Sequence, residues 1–193
     1  MSGFLRLVLG PMFAGKTTDL INTYNNLKYS EKIIAINYYL DKRYDDIMLT
    51  SHDNVKIPCL LVDSLFDALF NPKNEFYDKL NDSSFILINE GTFFDNLYYI
   101  VKDMLLNNKK VFIYALDGDF QQNKFGEVLD LVPLCDEIKK LNAKCFHCGG
   151  MAIFTHRITD EMNQIDIGVN NYIPLCRKCF PKETYIEKIP DVD

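Results

Sequence analysis

The sequence predicts an α/β fold: a mostly parallel sheet flanked by helices, with a small metal-stapled lobe and a long loop on its C-terminal side. Three observations carry that prediction. Short apolar runs alternate with segments of helical periodicity as far as residue 116, the loop GPMFAGKTT at 10–18 separates the first apolar run from the first helix, and two CxxC pairs follow at 145–148 and 176–179.

LRLVLG, ending at Gly10, reads as a buried strand, and Thr17–Leu27 as the helix after it. KIIAINYY at 32–39 is a second strand. Ser64 is placed to cap a short helix bearing Leu65, Phe66, Ala68 and Leu69, while the polar stretch 71–84 reads as a loop or insertion. FILIN at 85–89 is a third strand. Asp95 is the expected cap of a helix whose Leu97, Ile100, Val101, Met104 and Leu105 share one face, and VFIYAL at 111–116 is a fourth strand. Strands recurring through helical crossovers give a parallel sheet. Near Asn142 the chain becomes cysteine-bearing and loop-rich, so we divide it into a nucleotide-binding domain, 1–142, and a metal-binding lobe with a polar tail, 143–193.

A chain of 193 residues can bury a real core, and 48% hydrophobic with 25% charged residues is ordinary for a soluble protein. No run approaches the roughly 18 apolar residues that span a bilayer. FLRLVLG is interrupted by Arg6 and followed by a glycine loop, which argues against a signal peptide. The net charge of −6 argues against binding along a nucleic-acid backbone. Paired CxxC spacing suits a metal in a reducing, cytoplasmic setting better than disulfides; Cys59 and Cys135 stand alone and are assigned no chemistry.

GPMFAGKTT matches GxxxxGK[ST], with a strand before it and a helix after it. Gly10 and Gly15 let the backbone turn its amides toward phosphate oxygens, Lys16 reaches the terminal phosphates, and the Thr17 hydroxyl suits magnesium. Cys145, Cys148, Cys176 and Cys179 form two knuckles that can surround zinc tetrahedrally, leaving residues 149–175 to loop out between them. His147, inside the first knuckle, could replace a cysteine but reads better as a solvent-facing residue.

Together, GPMFAGKTT, DKRY at 41–44, NEGTFF at 89–94, ALDGDFQQNKFG at 115–126 and the CxxC pairs resemble the type II thymidine kinase family over residues 4–180. The resemblance implies a P-loop α/β domain and a structural-zinc lobe whose lasso loop covers the nucleoside. It implies that ATP, with Mg2+, phosphorylates the 5′-hydroxyl of deoxythymidine, and that Glu90 is the general base. Gly10, Pro11, Met12, Phe13, Ala14, Gly15, Lys16, Thr17 and Thr18 would hold the phosphates, with Asp41, Lys42, Arg43, Asn89, Gly91 and Thr92 at the phosphates or their metal waters. Met12, Phe93, Leu116, Phe125 and Thr155 would line the base pocket, Phe120 and Tyr172 would contact the nucleoside, and Asn163, Gln164, Ile165, Asp166, Ile167 and Gly168 would bind thymine through backbone groups. The resemblance also implies a homotetramer inhibited by dTTP.

The chief departure is Asn89, which stands where the family usually has the Asp of an Asp-Glu pair. An amide accepts a water hydrogen bond but adds no charge, a loss of about 1–2 kcal/mol in metal binding. Two other readings follow from the sequence: a nucleotide-binding pseudoenzyme or regulatory subunit, supported by Asn89, and a P-loop ATPase with a nucleic-acid-binding ribbon, opposed by the acidic balance.

Overall fold

The computed structural model describes residues 2–39, 48–51, 54–166 and 170–181. Six strands form one parallel sheet: β1 (Phe4–Leu9), β2 (Ile33–Tyr38), β5 (Leu60–Val62), β6 (Phe85–Ile88), β7 (Lys110–Ala115) and β8 (Glu137–Lys140), in the order β5-β2-β6-β7-β1-β8. The four strands expected from the sequence are its centre. The edges β5 and β8 were not foreseen: β5 is too short to show a pattern, and β8, EIKK, is mostly exposed and lacks an apolar stripe. β3 (Met48–Thr50) and β4 (Lys56–Pro58) form a separate antiparallel pair.

Alternation along the central strands sorts side chains onto two faces. Leu5, Leu7, Leu9, Ile86, Ile88, Val111 and Ile113 face a core closed by α2 (Leu65–Phe70) and α4 (Leu97–Leu106). Val8, Ala35, Leu87, Phe112 and Tyr114 face the opposite core, where α1 (Lys16–Leu27) contributes Leu20 and Ile21. Helices on both faces are what a parallel sheet requires.

Ser64 caps α2 as expected, accepting from the Asp67 N–H at 3.2 Å. Two local expectations fail for identifiable reasons. Asp95 does not cap α4. Asn96 precedes that helix in a left-handed conformation without a side-chain cap bond, and Glu127, from a distant turn, accepts from the Tyr98 N–H at 2.9 Å. Residues 71–84 are not all loop either, because α3 (Tyr77–Asp82) buries Leu80. Lys109 crosses from the far side to donate to the carbonyls of Leu80, Asn81 and Ser83 at its C-terminal end. Both devices act over long sequence separations that local patterning does not carry.

After β8, the chain forms two small antiparallel pairs: β9 (Ala143–Lys144) with β10 (Met151–Ala152), and β11 (Phe154–Arg157) with β12 (Tyr172–Leu175). Their core of Ala143, Cys145, Ala152, Leu175 and Phe180 packs on Ala14 of the glycine loop. No helix among the described residues is long and apolar enough to cross a membrane.

Candidate active site

β1, β6 and β7 are grouped at the centre of the sheet, so the loops leaving Leu9, Ile88 and Ala115 meet at its C-terminal edge, where open parallel sheets place their ligands. A cavity opens there. On one side it is lined by Met12, Phe13, Ala14, Gly15, Lys16, Thr17 and Thr18. Gly15 adopts φ +82°, a left-handed turn that a side chain would strain, and α1 starts immediately after it without a side-chain cap. An uncapped helix N-terminus opening into a cavity is suited to an anion. Lys16 curls back over the loop, its Nζ donating to the carbonyls of Gly10 at 3.0 Å and Pro11 at 2.8 Å.

At the end of β6, Asn89 and Glu90 diverge. Asn89 is only 2% exposed; its N–H donates to the Ile36 carbonyl at 2.8 Å and its Nδ2 to Asn37 Oδ1 at 2.9 Å. Glu90 lines the cavity, from a left-handed backbone at φ 51°, ψ 41° that costs a non-glycine residue about 1–3 kcal/mol. Strain of this kind persists where the surroundings impose it. Gly91 is pinned close to β7, for a Cβ there would lie 2.5 Å from Ile113 Cγ2. The buried Thr92 accepts from the Leu116 N–H at 3.2 Å. Gly91 and Thr92 are therefore packed behind Glu90 rather than on the cavity wall.

The rest of the cavity is largely apolar. Phe93 stacks on Tyr38 with ring centroids 5.3 Å apart and meets Phe125 edge-on at 5.5 Å; Leu116, Phe120 and Tyr172 complete this part with Gly118, Asp119, Gln164, Ile165 and Asp166. Thr155 lies behind it, buried, accepting from the Met12 N–H at 3.0 Å, so it shapes the cavity through the glycine loop. Two residues along the same strand, Arg157 is 5% exposed. Its guanidinium lies 3.8 Å from the Phe120 ring centroid and donates to the carbonyls of Glu161 at 2.7 Å, Asn163 at 2.5 Å and Gln164 at 3.1 Å, and to the Tyr172 hydroxyl at 2.5 Å. The Tyr172 hydroxyl in turn donates to the Asp166 carbonyl at 2.9 Å. A planar five-donor cation is the side chain best fitted to gather several carbonyls of one loop.

Sequence reasoning overlooked Arg157, Tyr38, Gly118 and Asp119. Arg157 was findable, since Thr155 and Arg157 share one face of a strand by period-2 alternation. Of the residues expected at the site, Asn163 enters only as a carbonyl held by Arg157. Asp41, Lys42, Arg43, Ile167 and Gly168 lie outside the described residues.

The cysteine sulfurs of Cys145, Cys148, Cys176 and Cys179 all lie within 4.8 Å of one another, with Cys148 and Cys176 3.6 Å apart. Zn–S bonds of about 2.3 Å in a tetrahedron give sulfur–sulfur edges of roughly 3.8 Å, so the set fits zinc. Burial alone would raise the Cys145 thiol. Backbone groups of Cys148, Cys176 and His147 outweigh it and bring the thiol down to about 6, while hydrogen bonds with Cys176 and Cys148 push Cys179 up to about 12. With Cys179 so raised, the cluster is a site that a divalent cation relieves. His147 is exposed and outside the cluster, as expected.

The thymidine kinase family profile matches residues 3–180. The chain belongs to the thymidine kinase family. It is thereby a phosphotransferase of the kinase class. The thymidine kinase of sheeppox virus strain KS-1 is 34% identical over 92% of this chain and 97% of its own length. That of Yaba monkey tumor virus is 36% identical over 94% of this chain and 96% of its own. A rice thymidine kinase is 37% identical over 91% of this chain and 65% of its own, so the plant relative is longer. The family match thus takes in both the glycine loop and the cysteine lobe.

Proposed function

We propose that this protein transfers the γ-phosphoryl group of ATP to the 5′-hydroxyl of deoxythymidine. The observation that carries the reading is that one cavity joins an uncapped helix N-terminus and Lys16 to an aromatic pocket, with the strained Glu90 on its wall. Phosphoryl transfer asks for little covalent chemistry from a protein and much positioning, so donor and acceptor sites must share one enclosure.

In this reading the amides of residues 13–18 and the Lys16 amine take the β- and γ-phosphates, the amine exchanging its bonds to Gly10 and Pro11 for phosphate oxygens. The sugar and base occupy the aromatic pocket, with the lasso backbone fixed by Arg157 reading the ring edge. Glu90 accepts the 5′-hydroxyl proton as that oxygen approaches phosphorus, a role that contributes about 10²- to 10⁴-fold. Magnesium, held by phosphates and the Thr17 hydroxyl, would neutralise developing charge on the transferred group. Asn89 is buried against Asn37, and the cysteine set is the sole cluster of three or more metal-binding side chains among the described residues, so phosphates and water would supply most magnesium ligands.

We assign structural zinc to the four cysteines, a nucleotide domain to residues 1–142 and a zinc-binding lasso domain to 143–193, a homotetrameric and cytoplasmic setting, and end-product inhibition by dTTP at the same cavity. Steady-state phosphorylation of deoxythymidine across a magnesium titration tests the activity. Turnover that rises with magnesium and falls about 10²-fold or more in Glu90→Gln is expected; no transfer at any magnesium concentration would leave the pseudoenzyme reading in its place. The pocket should also reject deoxycytidine, because a mismatched ring edge leaves buried donors and acceptors unpaired.

A further inference from the structure

One contact joins the lasso to the loop after β7 from across the cavity. Gln164 donates from Nε2 to Asp119 Oδ2 at 2.8 Å and to the Lys124 carbonyl at 3.3 Å. Asp119 is 7% exposed, and its other carboxylate oxygen, Oδ1, accepts from the N–H groups of Gln121 at 2.9 Å and Asn123 at 2.8 Å. The Asn123 carbonyl closes the same turn by accepting from the Asp119 N–H at 3.0 Å. The carboxylate is thus locked by the turn it organises, and Oδ2 is left to meet the lasso.

Arg157 grips the carbonyls of Glu161, Asn163 and Gln164 from within the cysteine lobe. Gln164 reaches the other way, to the body that carries the phosphate site. The first contact shapes the segment and the second sets its distance from the cavity. A hydrogen bond to a mostly buried carboxylate is among the stronger bonds that a neutral side-chain donor makes.

We propose that Gln164 and Asp119 are a positioning pair that holds residues 161–166 closed over the acceptor pocket before the nucleoside arrives. The inference rests on the nucleoside reading of that pocket. A site whose competent form is only a fraction of the population binds more weakly by that fraction, so a preformed closure lowers the apparent dissociation constant without touching the substrate. The pair then acts on nucleoside affinity and leaves the chemical step alone.

Gln164→Glu sets a second carboxylate against Asp119. In the nucleoside-free protein, amide hydrogen exchange over residues 158–166 should quicken about tenfold, a shift that corresponds to losing one such bond. The KM for deoxythymidine should rise about tenfold with kcat within about twofold and the KM for ATP unmoved, again one hydrogen bond's worth. Adding Asp119→Asn to Gln164→Glu presents an amide donor to the new carboxylate, while the side-chain oxygen still serves the Gln121 and Asn123 turn. The double variant should recover slow exchange and low KM. Unchanged exchange and KM in Gln164→Glu, a double variant as loose as the single one, or a fall in kcat with KM held would each overturn the proposal. If the parent protein fails to phosphorylate deoxythymidine, the functional reading falls by itself. The exchange comparison needs no substrate and still decides whether the pair holds the lasso.

Discussion

Glu90 combines a strained backbone with a place on the cavity wall, and the two properties can be separated by substitution. Glu90→Gln keeps the left-handed conformation and removes the carboxylate proposed as the base, so kcat should fall about 10²- to 10⁴-fold while ATP and nucleoside still bind in calorimetric titrations. Glu90→Gly removes the carboxylate and the strain together. It should be equally inactive yet more stable by about 0.5–1 kcal/mol, a rise in the thermal midpoint of about 1–4 °C by calorimetry. A glycine variant less stable than the parent would show that the conformation is not strained. The neighbouring Asn89 calls for the opposite argument. Its replacement by Asp would restore the charge that the resemblance leads one to expect, but at a position 2% exposed whose amide is committed to Asn37. Asn37 can turn its own amide to donate, which offsets part of the desolvation. Asn89→Asp should still lose about 1–3 kcal/mol at neutral pH, measured by urea unfolding. Burial raises the folded pKa of such a carboxyl above its unfolded value, so the penalty is present above the unfolded pKa and should fade as pH falls to about 4. A penalty that grows in acid would contradict this.

At the scale of elements, β11 ties the glycine loop to the segment at 161–164: Thr155 holds the Met12 N–H and Arg157, two residues on, holds the carbonyls of Glu161, Asn163 and Gln164. Thr155→Val keeps the shape but orphans the Met12 N–H, a loss of about 1–3 kcal/mol that should appear as weaker ATP binding by calorimetry, whereas Thr155→Ser should bind as the parent does. An unaltered ATP affinity in Thr155→Val would separate the glycine loop from this strand. The same elements show what was legible in the sequence. The central strands, α1 and α4 could be read from their period and length, and the six-residue α2 from its Ser64 cap. The glycine loop and the cysteines were legible because their chemistry needs fixed spacing, whereas Glu90 was singled out through the family resemblance. What escaped was fixed by distant partners. Glu127 replaced Asp95 as the cap of α4, Lys109 completed α3, and Asn89 was turned inward by Asn37, each through a side chain from a remote part of the chain. The left-handed φ of Glu90 was equally invisible, because the close packing of Gly91 on Ile113 follows from sheet register and not from local preference.

For the molecule as a whole, the question is how far the cysteine lobe can loosen without unfolding the sheet. The lobe has a small core of its own and meets the sheet body at Ala14, in the Thr155–Met12 bond and in the Gln164 bonds to Asp119 and Lys124, whereas the sheet buries two larger cores without help from the lobe. The cysteine knuckles bracket β11, the lasso and β12, so a metal bound there fixes both ends of the segment that covers the pocket. Removing zinc with a chelator should therefore free the lobe first. Hydrogen exchange should rise across residues 143–166 and 170–181 while amides of β1, β6 and β7 stay protected. Nucleoside affinity should fall by at least about tenfold, as expected when the binding-competent form becomes a minority population. ATP affinity should fall much less, because the glycine loop and α1 belong to the sheet body, where the lobe reaches them at Ala14 and Met12. Adding zinc back should reverse both changes. A single cooperative loss, with exchange in β1 and β7 and both affinities changing together, would mean instead that the metal holds the entire fold and that the lasso has no independent freedom for zinc to restrain.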